Sequence, residues 1–152
     1  MLVFRLGKTQ YSNDLQGEGA RLFGGRWNPV GVSCLYSSAS RALAVLEFSV
    51  NVSVFEIPKS VCFTVLEIPD ELIFKVDLAS LPNGWNSFPV SSTSRLFGGA
   101  LLTADHAIIQ LPSSIIHNEF NFLLNPNHPK KAHFKILDIE PFQYDERIKS
   151  TL

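Results

Sequence analysis

The chain has 152 residues, of which 45% are hydrophobic and 18% charged, with a formal net charge of −1. This size and balance suit one folded domain with its own core and exclude a disordered segment. A near-neutral chain has no global field to gather nucleic acid, and no apolar run reaches the roughly 18–20 residues that cross a bilayer.

The opening MLVFRLGKTQYSND carries no secretory leader, so the expected location is cytoplasmic. Leu2 to Leu6 reads as a first strand. From Gly7 to Gly31 neither helical nor strand periodicity is visible, which predicts a long irregular loop. Loops of that length inside a domain are uncommon and tend to carry function. Val32 to Tyr36 predicts a strand, after which Ser37, Ser38 and Ser40 offer N-cap hydroxyls to a helix running to about Val50. Its apolar stripe is read as Ala39, Ala42, Leu43, Leu46 and Val50, with Glu47 beside the stripe. A carboxylate in that position must be solvated in a cleft or paired, because burying it alone is costly.

Val61 to Ile68 and Leu72 to Val76 predict strands, and the proline- and serine-rich stretch Leu81 to Thr93 predicts a second loop. A short helix is expected over Ser94 to Thr103, weakened by Gly98 and Gly99. Ala107 to Leu111 predicts a strand ended by Pro112. Phe120 and Phe122 alternate as in a strand before the Asn125-Pro126 turn, and Phe134 to Ile139 reads as the last strand. Strands outnumber helices without a βαβ rhythm. The expected fold class is therefore α+β, a single domain over residues 1–152 built on mostly antiparallel sheets with flanking helices.

Several common sites are absent. Gly17-Glu18-Gly19 begins like a dinucleotide fingerprint, but the third glycine is replaced by Leu22, and no GxxxxGK[ST] occurs. His106, His117, His128 and His133 lack metal-binding spacing, and Cys34 and Cys62 form no CxxC pair, so free buried thiols and no metal are expected.

The pentapeptide RLFGG at Arg21 to Gly25 returns at Arg95 to Gly99. The first copy runs into Arg26, Trp27, Asn28 and Pro29. Gly24 and Gly25 would let a ligand approach exposed backbone N–H groups, and the forked Arg26 guanidinium suits a phosphate. An equally good reading is a tight turn with Arg26 paired to a carboxylate such as Glu47. The second copy runs into Ala100, Leu101 and Leu102, which suits packing. Tyr36 could flank a flat heteroaromatic group or lie in the core, and Ser113 could orient a carboxylate or ribose or simply form a turn.

Four blocks, GEGARLFGGRWNPVG, LYSS with ALAVLEFSV, LPSS, and NEFNFLLNPNHP, together resemble the RES domain, from about Arg5 to Phe142. The resemblance implies an ADP-ribosyltransferase-like fold. It also implies the toxin half of a bacterial toxin–antitoxin pair that arrests growth, with NAD as substrate and no metal. Some members cleave the nicotinamide–ribose bond by glycohydrolysis or phosphorolysis, and others transfer ADP-ribose to a protein. The implied partners are a cognate Xre-like antitoxin and a second copy in a homodimer, with no direct nucleic-acid or membrane partner. Catalytic roles carry over to Glu47, Arg26 and Tyr36, and substrate binding to Arg26, Tyr36 and Ser113. Gly24 and Gly25 join the binding set, with Arg5 and Arg21 as further phosphate contacts. The segment GGALLTADHAIIQ lacks the tryptophan that usually precedes the LPS block, a departure that bears on packing.

Under this resemblance a lone carboxylate suffices, because cleavage expels neutral nicotinamide from a cationic ring and no general acid is needed. Glu47 is expected to bind ribose hydroxyls and stabilise the oxocarbenium-like ribose. A mono-ADP-ribosyltransferase acting on one protein is the alternative, and a non-enzymatic binding module a third reading.

Overall fold

Val61–Glu67 (β3) buries every residue but the last, which a strand does only when both of its faces are covered. In the computed structural model, which describes residues 1–149, β3 lies between Leu2–Lys8 (β1) and Lys135–Phe142 (β7), antiparallel to both. The last three positions of the 1–152 domain reading lie outside the described residues. Leu35–Ser38 (β2), Ile73–Lys75 (β4), Ile108–Pro112 (β5) and Phe120–Leu124 (β6) complete one seven-stranded sheet, in the order β4-β5-β6-β2-β1-β3-β7. Every pairing is antiparallel except β4 with β5.

The fold is thus α+β as expected, with one sheet where several had been inferred. That sheet is nearly divided. β1 and β2 meet at a single register pair, Phe4 opposite Ser38. Beyond it the two strands part, leaving β4-β5-β6-β2 on one side and β1-β3-β7 on the other. Val3, Leu35, Leu66, Ile108 and Leu124 form a core that spans the seam. Arg41–Asn51 (α2) covers Phe4, Phe63 and Val65 through Ala44. Ser92–Thr103 (α3) packs Leu102 against Trp27, Ile109 and Leu123. Among the described residues no helix is long and apolar enough to cross a membrane.

Three local expectations need correction. The stretch from Gly7 to Gly31 is not all loop: β1 runs on to Lys8, and Glu18–Phe23 forms a short helix (α1). Gly17 and Gly24, at φ +65° and +69°, close its two ends, and Arg21 pairs with Glu18 one turn earlier. The second correction concerns serines. Ser37 and Ser38 belong to β2, where Ser37 Oγ donates to the Phe122 carbonyl at 3.1 Å; only Ser40 caps α2, accepting from Leu43 N–H at 3.1 Å. The buried face of α2 is consequently Leu43, Ala44 and Ser49, while Ala39, Ala42 and Val50 are exposed.

Third, Gly98 and Gly99 do not weaken α3, which runs straight through them. They let the helix lie against the backbone that follows the first RLFGG copy. A Cβ at Gly98 would come within 2.1 Å of the Trp27 carbonyl oxygen, and one at Gly99 within 2.8 Å of Pro29 Cδ. Gly98→Ala is therefore expected to cost about 1–3 kcal/mol or more, lowering Tm by about 2–4 °C for each kcal/mol. Calorimetry checks this, and an unchanged Tm would mean that α3 does not rest on Trp27.

Candidate active site

Where β1 and β2 part, a cavity of about 610 Å³ opens. Its walls come from Arg5 and Leu6 of β1, Tyr36 and Ser38 of β2, Glu47 of α2, the Gly24–Trp27 loop, Arg95 of α3 and Asn121 of β6. Arg26 and Glu47, from distant parts of the chain, thus face one hollow.

Glu47 is held through one oxygen. Its Oε1 accepts from Ser113 Oγ at 2.8 Å and from Asn121 Nδ2 at 2.6 Å. Among the described residues Oε2 accepts no hydrogen bond. Ser113, 0% exposed, has its Oγ filled as an acceptor by the N–H groups of Ile115 at 3.1 Å and Ile116 at 3.2 Å. Its single proton is thereby aimed at Glu47. Ser113→Ala would strip Glu47 of one donor and leave two N–H groups without their partner. It is expected to destabilise the fold by about 1–3 kcal/mol, measurable as a lowered denaturation midpoint with an unchanged slope.

Arg26 is not paired with Glu47. Its Nη1 donates to the carbonyls of Trp85 at 2.8 Å and Ser87 at 3.0 Å, pinning the 81–91 loop across the cavity. Trp85 stacks on Trp27 at 6.0 Å between ring centroids, inclined by 20°. Burial lowers the Arg26 guanidinium below its ordinary value, opposed by the nearby Glu47 carboxylate. It remains a cation, since arginine loses its proton only far above neutral pH.

Tyr36 lines the cavity, and its hydroxyl is engaged within the protein. That oxygen accepts from Trp27 N–H at 3.0 Å and donates to Asn28 Oδ1 at 2.7 Å. Burial also raises the phenol well above its ordinary value, so it stays protonated and cannot act as a base. Asn28, 0% exposed, in turn donates from Nδ2 to the carbonyls of Ala20 at 2.8 Å and Val32 at 2.9 Å. Tyr36 and Asn28 together hold the loop that carries Arg26.

The glycines of the first RLFGG copy line the cavity but do not offer their N–H groups to it. Gly24 donates to Ala20 at 2.8 Å and Gly25 to Asn28 at 3.0 Å. They are needed for shape: Gly24 is left-handed, and a Cβ at Gly25 would lie 2.6 Å from the Tyr36 hydroxyl. Arg5 lines the cavity and donates to the Asp14 carbonyl at 2.9 Å, and burial lowers its guanidinium. Arg21 does not reach the cavity; it is exposed on α1 with Glu18. Arg95 does, although its pentapeptide reads as packing, with Nε donating to the Gly25 carbonyl at 3.3 Å.

Asn121, Asn28 and Ser38 are parts of the site that the sequence reading passed over. Asn121 sits between Phe120 and Phe122, and strict alternation along β6 would have put it on the opposite face from both. Asn28 reads as an Asx-Pro turn and carries no separate signal. Cys34 and Cys62 are free and buried, and burial pushes the Cys34 thiol up to about 12. Among the described residues no group of three His, Cys, Asp or Glu side chains is placed to hold a metal ion.

The sequence pattern that defines the RES domain matches residues 2–145. The chain is 36% identical over 145 residues to the Prs ADP-ribosylating toxin of Sphingobium sp. strain YBL2, covering 93% of this chain and 90% of that protein. It is 36% identical over 129 residues to the Toxin Res of Photorhabdus laumondii, covering 83% and 82% of the two chains. In fold it resembles a chain of the M. tuberculosis MbcT-MbcA toxin-antitoxin complex, with a TM-score of 0.75 at 16% identity over 93% of this chain and 83% of that one. With the pattern spanning nearly the whole sequence and both relatives aligned over four-fifths or more of each chain, the chain belongs to the RES domain family.

Proposed function

We propose that this protein is the toxin of a toxin–antitoxin pair, and that it binds NAD in the cavity between β1 and β2 and breaks the nicotinamide–ribose bond. One observation carries the reading: a guanidinium and a carboxylate line the same cavity without neutralising one another. A cation paired internally has little left for a ligand. Arg26 instead spends Nη1 on neutral carbonyls and keeps its charge for an anion.

NAD fits that division. Its pyrophosphate lies against Arg26, with Arg5 and Arg95 as neighbouring cations, and the nicotinamide ribose lies toward Glu47. The Tyr36 ring offers a flat apolar surface to the nicotinamide end. As the bond lengthens, positive charge grows on the ribose, and Oε2 of Glu47 stabilises it while accepting from a ribose hydroxyl. Nicotinamide leaves as a neutral base, so no acid is required opposite Glu47.

The acceptor of the ADP-ribose is water, phosphate or a protein. The likeness to the Sphingobium ADP-ribosylating toxin favours transfer to a protein as the second reading. Digesting NAD with and without phosphate, and incubating labelled NAD with a cell lysate, separates the three. Free ADP-ribose marks hydrolysis, its phosphorylated form marks phosphorolysis, and a labelled band marks transfer. Absence of nicotinamide in all three digests would refute the proposal. An enzyme of this kind would harm its own cell, so the proposal includes an antitoxin that restrains it, in keeping with the complex of the structural relative.

A further inference from the structure

We propose that Asn121, with Ser38 behind it, is a positioning residue that fixes which oxygen of Glu47 meets the substrate; this rests on the reading of the cavity as the NAD site. An asparagine amide has an accepting oxygen at one end and a donating NH2 at the other, and nothing in its shape decides which end faces a carboxylate. Here Ser38 decides it. Register pairing places Ser38 directly opposite Asn121 across β2 and β6, and Ser38 Oγ donates to Asn121 Oδ1 at 2.7 Å. With Oδ1 occupied, the amide nitrogen is turned to Glu47 and donates to Oε1 at 2.6 Å. A flipped amide would set two oxygens against each other.

Ser113 donates to the same Oε1 from β5's end of the site. Two neutral donors on one oxygen hold the carboxylate against rotation and leave Oε2 to the ligand. Ser38 is also the residue of β2 that pairs with Phe4 of β1, the one register pair by which the two strands join. The seam and the orientation of the acid thus share one residue. The other titratable or charged groups around the cavity are Arg5 from β1, Arg26 from the loop, Tyr36 from β2 and Arg95 from α3. None of them is hydrogen-bonded to Glu47 among the described residues.

The test uses Asn121→Ala, Asn121→Asp and Ser38→Ala in the full chain. Asn121→Ala is expected to lower kcat for nicotinamide release by about 10- to 100-fold, with KM for NAD within about threefold. Ser38→Ala, which frees the amide to turn, should lose about 3- to 10-fold on the same reasoning. Asn121→Asp has the same shape and keeps the Ser38 bond, but sets a second carboxylate against Oε1. Two adjacent like charges repel, so in crystals of Asn121→Asp grown without NAD at about pH 8 the Glu47 carboxylate should turn away from residue 121.

A raised KM with unchanged kcat in Asn121→Ala would make Asn121 a ligand contact and overturn the positioning role. A Glu47 carboxylate that keeps its wild-type position in folded Asn121→Asp would overturn it too. Because the position of the carboxylate needs no NAD turnover, it still decides the matter if wild type releases no nicotinamide, an outcome that would instead sink the NAD reading.

Discussion

Glu47→Gln is expected to reduce nicotinamide release from NAD by about 10²- to 10³-fold while leaving Tm nearly unchanged. The two effects separate because the substitution keeps the shape of the site. A glutamine carbonyl can still accept from Ser113 and Asn121, as Oε1 does now. What disappears is the negative charge that faces the ribose as it becomes cationic. The loss should appear in kcat, since a group that acts on developing charge contributes little to ground-state binding. Expression of the variant in cells should no longer arrest growth. Initial rates over a range of NAD concentrations check this, and a variant with wild-type kcat would show that Glu47 is only a packing residue.

Arg26→Ala should act mainly on KM. Hydrogen bonds to charged groups contribute about 1.5–3 kcal/mol each, so losing the guanidinium that faces the pyrophosphate should raise KM for NAD by about 10- to 100-fold. The same side chain also tethers the carbonyls of Trp85 and Ser87. Its removal should therefore speed proteolytic cutting within residues 81–91, an effect that Glu47→Gln does not share. Arg26→Lys is expected to recover little, because a point-charge ammonium cannot reproduce the planar fork. Unaltered KM together with unaltered cleavage would mean that Arg26 serves neither purpose.

How much of this could be read from residues alone differs from element to element. β3 and β5 were legible because long runs of apolar, branched residues are what a strand covered on both faces requires. α1 was hidden because six residues between two glycines are too few to show a helical period. Ser37 and Ser38 were misplaced for a reason of chemistry. A serine before an apolar helix looks like a cap, and only the neighbouring strand, far along the chain, supplies the partners that draw these hydroxyls into the sheet.

The site shows the same division. Arg26, Tyr36, Glu47 and Ser113 were nameable from the four sequence blocks, but their arrangement was not. Glycine pairs suggest open N–H groups, yet both N–H groups here are used close by, and Gly25 instead leaves room for the Tyr36 hydroxyl. The two copies of RLFGG gave no hint that the second seats its glycines on the residues following the first. Nor does any local pattern reveal that Arg95 reaches the cavity while Arg21, at the matching position of the first copy, turns away to Glu18. Pairings of this kind depend on the sheet seam and on α3, both of which are set by contacts between distant residues.

One dinucleotide is proposed to bridge Arg26 and Glu47, and the most direct measurement is a crystal structure of Glu47→Gln with intact NAD. The expected result is a pyrophosphate oxygen within hydrogen-bond distance of the Arg26 guanidinium and a nicotinamide-ribose hydroxyl at the residue 47 side chain. NAD bound elsewhere on the protein, or seated in the cavity with its pyrophosphate away from Arg26, would contradict it.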